Sequence, residues 1–126
     1  MTEKKTILLA EDNYDNQELM KDIFETLQYE VDIANDGEEA LEKWKNNKYD
    51  LIILDLHMPK KDGFQVSMEI RALEGQKSRI PIIALTASAL ASDRQKCLEF
   101  GMDDHISKPI DLDMLEKKLK KILHNK

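Results

Sequence analysis

The sequence predicts an α/β domain in which helices cover both faces of a five-stranded parallel sheet. Five short apolar runs alternate with five longer amphipathic segments along the chain. Such a β-α repeat makes successive strands parallel, with each helix as a crossover. The third run, LIIL at residues 51–54, is apolar at every position, as in a strand covered on both faces. The 126 residues fit one domain with one core, so we expect residues 1–126 to form a single unit.

The first strand, helix and second strand lie within the first 34 residues. Thr6–Ala10 is a β-like run that ends on an acidic pair, and Glu30–Ala34 predicts a second strand. Between about Tyr14 and Gln28 apolar residues recur at helical spacing, which predicts an amphipathic helix. Its predicted apolar stripe is Leu19, Met20, Ile23, Phe24 and Leu27.

The middle of the chain predicts a helix, a buried strand and another helix. Asp36 is the expected N-cap of the second helix, because acidic residues follow in the first turn, where the helix dipole favours them. Leu51–Leu54 is the third strand. Phe64 to about Leu73 is the third helix, and Gly75 is its expected end.

The last third of the chain predicts two strands and two helices. Ile80–Leu85 is the fourth strand and Ala89–Phe100 the fourth helix. His105–Ile106 is a short fifth strand, and Asp111 is the expected cap of the last helix. The residues of that helix predicted to face inward are Leu112, Leu115, Leu119, Ile122 and Leu123.

Composition excludes several classes of function. The net charge of −6 argues against nucleic acid or an anionic membrane as the main partner. The single cysteine, Cys97, excludes an internal disulfide framework and suits a reducing compartment. We find no apolar run of transmembrane length and no signal peptide, so the sequence predicts a cytoplasmic protein.

Polar residues follow four of the predicted strands, and the carboxyl ends of parallel strands share one edge of the sheet. Glu11 and Asp12 follow the first strand, and Asp55 ends the third. Thr86 ends the fourth strand, and Lys108 follows the fifth. Ligands bind at this edge in such sheets, so we expect the five residues to form one site.

Three clustered carboxylates repel one another and call for a cation. Oxygen ligands of this kind suit Mg²⁺, which takes one or two carboxylates together with waters and phosphate oxygens. An aspartate such as Asp55 can also act as a nucleophile and form an aspartyl-phosphate. Phosphoryl transfer then needs charge neutralisation, which a metal on one side and Lys108 on the other would supply.

Four motifs resemble those of the response-regulator receiver family, the CheY-like fold. ILLAEDN resembles the family's acidic pair, LDLHMPKKDG the phosphoacceptor motif, IIALTAS the switch-hydroxyl motif and ISKPI the Lys-Pro motif. The resemblance covers nearly the whole chain. It implies the strand order 2-1-3-4-5, which is the order known for CheY rather than one worked out from this sequence.

The resemblance also implies roles for single residues. Asp55 would be the phosphorylated aspartate, and Lys108 would contact the phosphoryl group. Glu11 and Asp12 would hold Mg²⁺ with Asp55 and the backbone carbonyl of His57. Thr86 would be the switch hydroxyl, and His105 stands where the family usually has Tyr or Phe, whose rotamer couples to that hydroxyl. The Lys108–Pro109 bond is cis in the family, while His57 and Ser88 occupy positions that tune phosphate lifetime.

The stretches EDNYDNQ, IIALTASAL and DRQKCLEFGMDDHISKPI are similar to receivers of hybrid histidine kinases and phosphorelays. This resemblance implies a histidine kinase or a histidine phosphotransfer domain as the phosphoryl donor. The expected function is two-component signalling, in which phosphorylation of Asp55 changes the surface formed by helix four, strand five and helix five. We expect no output domain and no enzyme activity beyond the domain's own phosphorylation and dephosphorylation.

Other interpretations stay open at this point. The domain could be a docking module that works without phosphorylation, or an aspartate-nucleophile phosphatase. The second is disfavoured because His57 stands where those enzymes have a second aspartate. The acidic pair could merely cap the first helix. The basic run of Lys117, Lys118, Lys120 and Lys121 could be a solvated face or could dock to an acidic partner.

Overall fold

Five parallel strands form one sheet in the order β2-β1-β3-β4-β5. The computed structural model describes residues 5–58, 60–74, 79–86, 91–108 and 110–123. The strands are β1 (Thr6–Ala10), β2 (Glu30–Ala34), β3 (Leu51–Asp55), β4 (Ile82–Thr86) and β5 (Asp104–Ser107). The helices are α1 (Tyr14–Thr26), α2 (Gly37–Asn46), α3 (Gly63–Glu74), α4 (Ala91–Glu99) and α5 (Leu112–Leu123). The predicted fold class and the strand order implied by the resemblance are both confirmed.

The helices divide between the two faces of the sheet. One face packs against α2, α3 and α4 through residues such as Leu41, Ile70 and Cys97. The other face packs against α1 and α5 through residues such as Phe24 and Leu119. Every residue of β3 is buried, which explains the uninterrupted apolar run that precedes Asp55.

Several boundaries differ from the prediction by one or two residues. Strand β4 begins at Ile82 rather than at Ile80, because Pro81 has no N–H to donate to the sheet. Helix α1 ends at Thr26, and Gln28 adopts a left-handed conformation with a φ of 68°. Strand β5 is longer than predicted, since it pairs with β4 from Asp104 to Ser107.

Two residues that we placed on buried stripes are largely exposed. Leu19 is 51% exposed, because the buried stripe of α1 runs through Gln17, Met20 and Phe24 instead. Leu112 is 46% exposed and lies in the first turn of α5, ahead of the buried Leu115 and Leu119. The predicted cap Asp36 is confirmed, since its side chain accepts a hydrogen bond from the N–H of Glu39 at 2.8 Å.

Some predictions concern residues outside the described ranges: Gly75, Ser88, Ala89 and Pro109. Among the helices that are described, none has the length and apolar character that crossing a bilayer requires.

Helix α5 is joined to strand β5 by one ion pair. Both carboxylate oxygens of Asp104 lie 2.9 Å from the ammonium group of Lys118. Burial alone would raise the pKa of Asp104, but the hydrogen bond from Lys118 and further N–H and charge contacts hold it below the ordinary value of 3.8. One lysine of the predicted basic run is therefore engaged inside the domain.

Replacing Lys118 by Gln should lower the free energy of unfolding at pH 7 by roughly 1 kcal/mol, since a partly exposed ion pair is lost. A carboxyl group with a depressed pKa contributes stability above its unfolded value and loses it as the pH falls through the folded pKa. The difference between wild type and Lys118→Gln should thus shrink below about pH 3.8. Urea unfolding across pH measures it.

Lys120→Gln is the matched control, because its ammonium lies 3.5 Å from Glu116 and its side chain is 67% exposed. The control should change stability by less than about 0.5 kcal/mol at any pH. A loss in Lys118→Gln that stayed constant down to pH 2 would contradict the assignment to Asp104.

Candidate functional site

Three carboxylates meet at the carboxyl edge of the sheet. Glu11 and Asp12 directly follow β1, and Asp55 ends the neighbouring strand β3. One oxygen from each lies within 4.8 Å of the others. Glu11 and Asp55 are only 1% and 5% exposed, whereas Asp12 faces solvent. The parallel register therefore brings together residues that are more than 40 positions apart in sequence.

Lys108 supplies the positive charge for this cluster. Its ammonium group lies 3.0 Å from Oδ2 of Asp55 and 3.3 Å from Oε1 of Glu11. Its backbone N–H donates to the carbonyl of Thr86 at 2.8 Å, which fixes the lysine beyond the end of β5. Burial alone would lower the pKa of Lys108, but the two carboxylates raise it, so the side chain stays charged.

The surroundings of Glu11 in the cluster disfavour its negative charge. Burial raises its pKa above the ordinary 4.5, and the nearby Asp55 raises it further, against the N–H of Asn13 and the charge of Lys108. Its Oε2 accepts from the N–H of Asn13 at 3.2 Å. Among the described residues, its Oε1 is the one buried side-chain oxygen that lacks a hydrogen bond. The Lys108 ammonium lies 3.3 Å from this oxygen and is a charge contact.

This donor set fits a hard divalent cation. A buried carboxylate oxygen without a hydrogen bond, beside two further carboxylates, is a ligand arrangement that Mg²⁺ prefers. A cation there would also relieve the repulsion between Glu11 and Asp55. We therefore identify Glu11, Asp12 and Asp55 as an acidic cluster capable of metal binding.

The second oxygen of Asp55 is oriented by the following loop. The backbone N–H of His57 donates to Oδ1 of Asp55 at 3.0 Å, while the His57 side chain is exposed. The two oxygens are thus held differently, one by a neutral N–H and one by the Lys108 ammonium. This arrangement fixes the carboxylate plane relative to the cluster.

Two glycines allow the loop after Asp55 to approach its neighbours. A Cβ on Gly63 would lie 2.7 Å from the carbonyl oxygen of Asp55, which leaves no room for a side chain. A Cβ on Gly37 would overlap the carbonyl of Lys61. The first residues of α3 and α2 therefore both lie against the segment from Asp55 to Lys61.

A polar side chain beneath the cluster was not predicted from the sequence. Gln17 is buried on α1, and its amide donates to the carbonyl of Glu11 at 2.6 Å and to Asn35 at 2.9 Å. It holds the end of β1 in place. A glutamine on the apolar face of a helix was the signal that could have revealed it.

Helix α1 is capped by Asn13, not by the acidic pair. The side chain of Asn13 accepts from the N–H of Asn16 at 3.0 Å. Glu11 and Asp12 are thereby free of the capping role considered from the sequence.

Thr86 and His105 lie on adjacent strands and share a face of the sheet. Thr86 is buried at the end of β4, where it pairs with Ser107. His105 pairs with Ala84, two residues before Thr86, so both side chains point to the face that α4 covers. Burial lowers the pKa of His105, and the positive charge of Arg94 on α4 lowers it further. No described contact joins His105 to Glu11, Asp12 or Asp55.

Comparison with known proteins resolves the family. The response regulator receiver domain profile matches residues 7–120 of the chain. The chain belongs to the response regulator receiver family. It is therefore a signalling module of the two-component and phosphorelay type. The receiver is 39% identical over 113 residues to the sensor histidine kinase RcsC of Escherichia coli, covering 90% of the chain and 12% of RcsC. It spans about a tenth of the length of the curated relatives that it matches.

Two solved structures of receivers are closely similar. The receiver domain of Ssk1 from Saccharomyces cerevisiae, crystallised with the histidine phosphotransfer protein Ypd1, has a TM-score of 0.90 and 31% identity, covering 95% of this chain and 89% of that one. The receiver domain of sensor histidine kinase PA1611 from Pseudomonas aeruginosa has a TM-score of 0.85 and 37% identity, covering 96% and 98%. That structure holds a magnesium ion in its active-site cleft.

Replacing Lys108 by Met should leave Glu11 and Asp55 without their counter-charge. We expect the free energy of unfolding at pH 7, with chelator present, to fall by roughly 1–3 kcal/mol. The pKa of Glu11 should rise further, so the folded state binds a proton more readily and the loss should be smaller at pH 5. Urea unfolding at the two pH values tests this.

The control is Lys61→Met, which removes a lysine that lies in the loop between β3 and α3 and pairs with Glu69. This pair is more exposed, so we expect a loss below about 1 kcal/mol with no such pH dependence. An equal loss in Lys108→Met at pH 5 and pH 7 would rule out Glu11 as the group that titrates.

Proposed function

We propose that the receiver accepts a phosphoryl group on the carboxylate of Asp55 from a phosphohistidine. The observation that most directly supports this proposal is that Asp55 is buried at the carboxyl edge of the sheet, where the ammonium group of Lys108 lies 3.0 Å from its Oδ2. One Asp55 oxygen attacks phosphorus and the P–N bond of the phosphohistidine breaks, with its electron pair going to nitrogen. The leaving group is neutral imidazole, because the other ring nitrogen of the phosphohistidine has taken a proton from solvent. The domain would promote this reaction and the later hydrolysis of the acyl phosphate, and no other.

Lys108 and the His57 backbone would divide the work at the carboxylate. The N–H of His57 holds Oδ1, which orients the group. The Lys108 ammonium would move from neutralising Asp55 and Glu11 to neutralising the oxygens of the incoming phosphoryl group. Phosphoryl transfer depends mainly on such positioning and charge stabilisation.

Glu11, Asp12, Asp55 and the backbone carbonyl of His57 would hold Mg²⁺. Two findings support this choice of metal: the buried oxygen Oε1 of Glu11 lacks a hydrogen bond among the described residues, and the PA1611 receiver structure holds magnesium. When bound, Mg²⁺ would offset the negative charge that accumulates on the phosphoryl oxygens.

Thr86 and His105 would transmit the phosphorylated state to the surface formed by α4, β5 and α5. Thr86 lies at the end of the strand adjacent to β3, and His105 shares its face of the sheet. A phosphoryl group adds negative charge and acceptor oxygens, which would attract the Thr86 hydroxyl. His105 would then repack between β5 and α4.

The phosphoryl donor would be a histidine kinase or a histidine phosphotransfer domain. Tyr14 and Leu19 on α1 are 69% and 51% exposed. Leu19 also lines a small cleft of about 120 Å³ with Ile110 beside Lys108. Exposed apolar groups next to the acceptor suit a protein partner, and the Ssk1 receiver was crystallised with such a phosphotransfer protein.

We take residues 1–126 as one receiver unit, because all five strands, and with them the residues of this chemistry, belong to one sheet. Cys97, the one cysteine of the sequence, is buried, which fits the reducing environment of the cytoplasm.

Incubation with acetyl phosphate and Mg²⁺ should add one phosphoryl group to the protein, detected by intact-mass spectrometry. Asp55→Asn should abolish the adduct, because an amide oxygen is a far weaker nucleophile than a carboxylate. Chelator should suppress it in the wild type.

Asp22→Asn is the matched control, since this exposed aspartate on α1 has no described partner and should leave the adduct intact. An adduct that survived Asp55→Asn would move the acceptor to another residue. Absence of any adduct with acetyl phosphate and with a phosphorylated histidine phosphotransfer protein would overturn the proposal in favour of a docking module.

Mg²⁺ at a hundredfold excess over its dissociation constant should raise the free energy of unfolding by about 2.7 kcal/mol, because it binds only the folded cluster. Asp12→Asn should remove most of this gain, since it deletes one ligand. Asp15→Asn, on an exposed residue of the first turn of α1, should retain the full gain. Thermal unfolding with and without Mg²⁺ measures both, and equal gains in the two variants would exclude Asp12 as a ligand.

A further inference from the structure

An open groove lies at the edge of the sheet opposite Asp55. It has a volume of about 1020 Å³ and runs between the carboxyl ends of α2 and α3. Trp44, Tyr49, Leu73 and Ile80 form its apolar lining. Leu73 is 55% exposed, although Ile70 and Glu74 on the same helix are buried. The chain thus presents a leucine and part of its one tryptophan to solvent at the same place.

The acidic groups of the groove are engaged within the domain. Glu74 accepts from the guanidinium of Arg71 at 2.9 Å and from the N–H of Ile80 at 2.8 Å. Asp50 accepts from the N–H of Thr6 at 2.9 Å. Arg71 therefore compensates the charge of Glu74, whereas the exposed Asp50 accepts one neutral N–H and keeps its negative charge.

The basic groups of the groove are not engaged. Lys45 and Lys48 lie on its rim, are exposed, and have no carboxylate within 4.0 Å among the described residues. The groove therefore combines an apolar floor with a rim on which two unpaired lysines outnumber one unpaired carboxylate, that of Asp50, among the described residues. That is unexpected on a chain with a net charge of −6.

We propose that this groove docks an acidic segment of a partner protein, with a large apolar side chain inserted between Trp44 and Leu73. The apolar lining selects the anchor, and the two free lysines select flanking carboxylates. A second copy of this chain is disfavoured because two molecules of charge −6 repel each other. Nucleic acid is disfavoured by the same net charge.

The groove is separate from the phosphoacceptor. Asp50, at the groove, and Asp55, at the site, stand at opposite ends of β3, roughly 16 Å apart at about 3.3 Å per residue. A segment docked there would leave the acceptor edge open to its phosphoryl donor. We therefore expect docking to be unaffected by Asp55→Asn, which makes its test independent of the proposed phosphotransfer.

The fluorescence of Trp44 provides the test, because no other tryptophan contributes. The probe is a synthetic peptide with a Leu-Phe pair flanked on both sides by glutamates. Burial of the indole against the peptide should shift its emission to shorter wavelength in a saturable manner. The same peptide with lysines in place of glutamates, or with Ser-Gly in place of Leu-Phe, should bind at least about tenfold more weakly.

Two variants and their controls locate the binding. Lys45→Glu with Lys48→Glu should weaken binding roughly tenfold or more, whereas Lys117→Glu with Lys121→Glu, an equal charge change on exposed α5 residues, should not. Leu73→Gln should weaken it, and Leu98→Gln, at a comparably exposed leucine of α4, should not. Circular dichroism verifies that each variant is folded.

Saturable binding that follows this pattern in both wild type and Asp55→Asn supports the proposal. Equal weakening by the α5 control would show that net charge, and not the groove, determines binding. No emission shift, or equal shifts with the glutamate and lysine peptides, would overturn the proposal. Self-association of the free protein that Leu73→Gln abolishes would assign the groove to a second copy and overturn it as well.

Discussion

The burial of two carboxylates beside one ammonium is the interaction on which this receiver depends. Glu11 and Asp55 sit at the ends of adjacent strands and are almost inaccessible to solvent. Burial and the nearby Asp55 raise the pKa of Glu11, and the charge of Lys108 offsets this only in part. One oxygen of Glu11 is left without a hydrogen bond among the described residues. The domain is therefore built around a charge imbalance that a cation or a phosphoryl group changes directly.

The doubly wound topology separates the tasks of the molecule. The face covered by α2, α3 and α4 carries Thr86 and His105, whereas the face covered by α1 and α5 packs through residues such as Phe24 and Leu119. The carboxyl edge of the sheet holds the three clustered carboxylates and Lys108, and the amino edge carries the groove. The acidic cluster, the face with Thr86 and His105, and the groove thus occupy separate regions of the described structure.

Sequence patterns predicted the sheet, all ten elements and the meeting of Glu11, Asp12, Asp55 and Lys108, because period and strand-end placement are local signals. They failed for Leu19 and Leu112, where the exact rotation of a helix on the sheet decides exposure. They also missed Gln17, Gly37 and Gly63, whose roles depend on contacts between segments distant in sequence. Tertiary packing, not propensity, determines those positions.

The parallel register has a consequence for how the domain folds. No two paired strands are joined by a hairpin, and the bond from Lys108 to Asp55 spans 53 residues. Such non-local pairings are slow to form and gain stability only when the long intervening loops have closed. The three carboxylates and Lys108 draw on β1, β3 and β5, so a partly folded chain without β5 would hold the carboxylates without their counter-charge. The three carboxylates come from the ends of β1 and β3 alone, so the ability to bind a cation would be acquired before Lys108 is in place, and a bound cation would supply the missing positive charge until the fifth strand pairs.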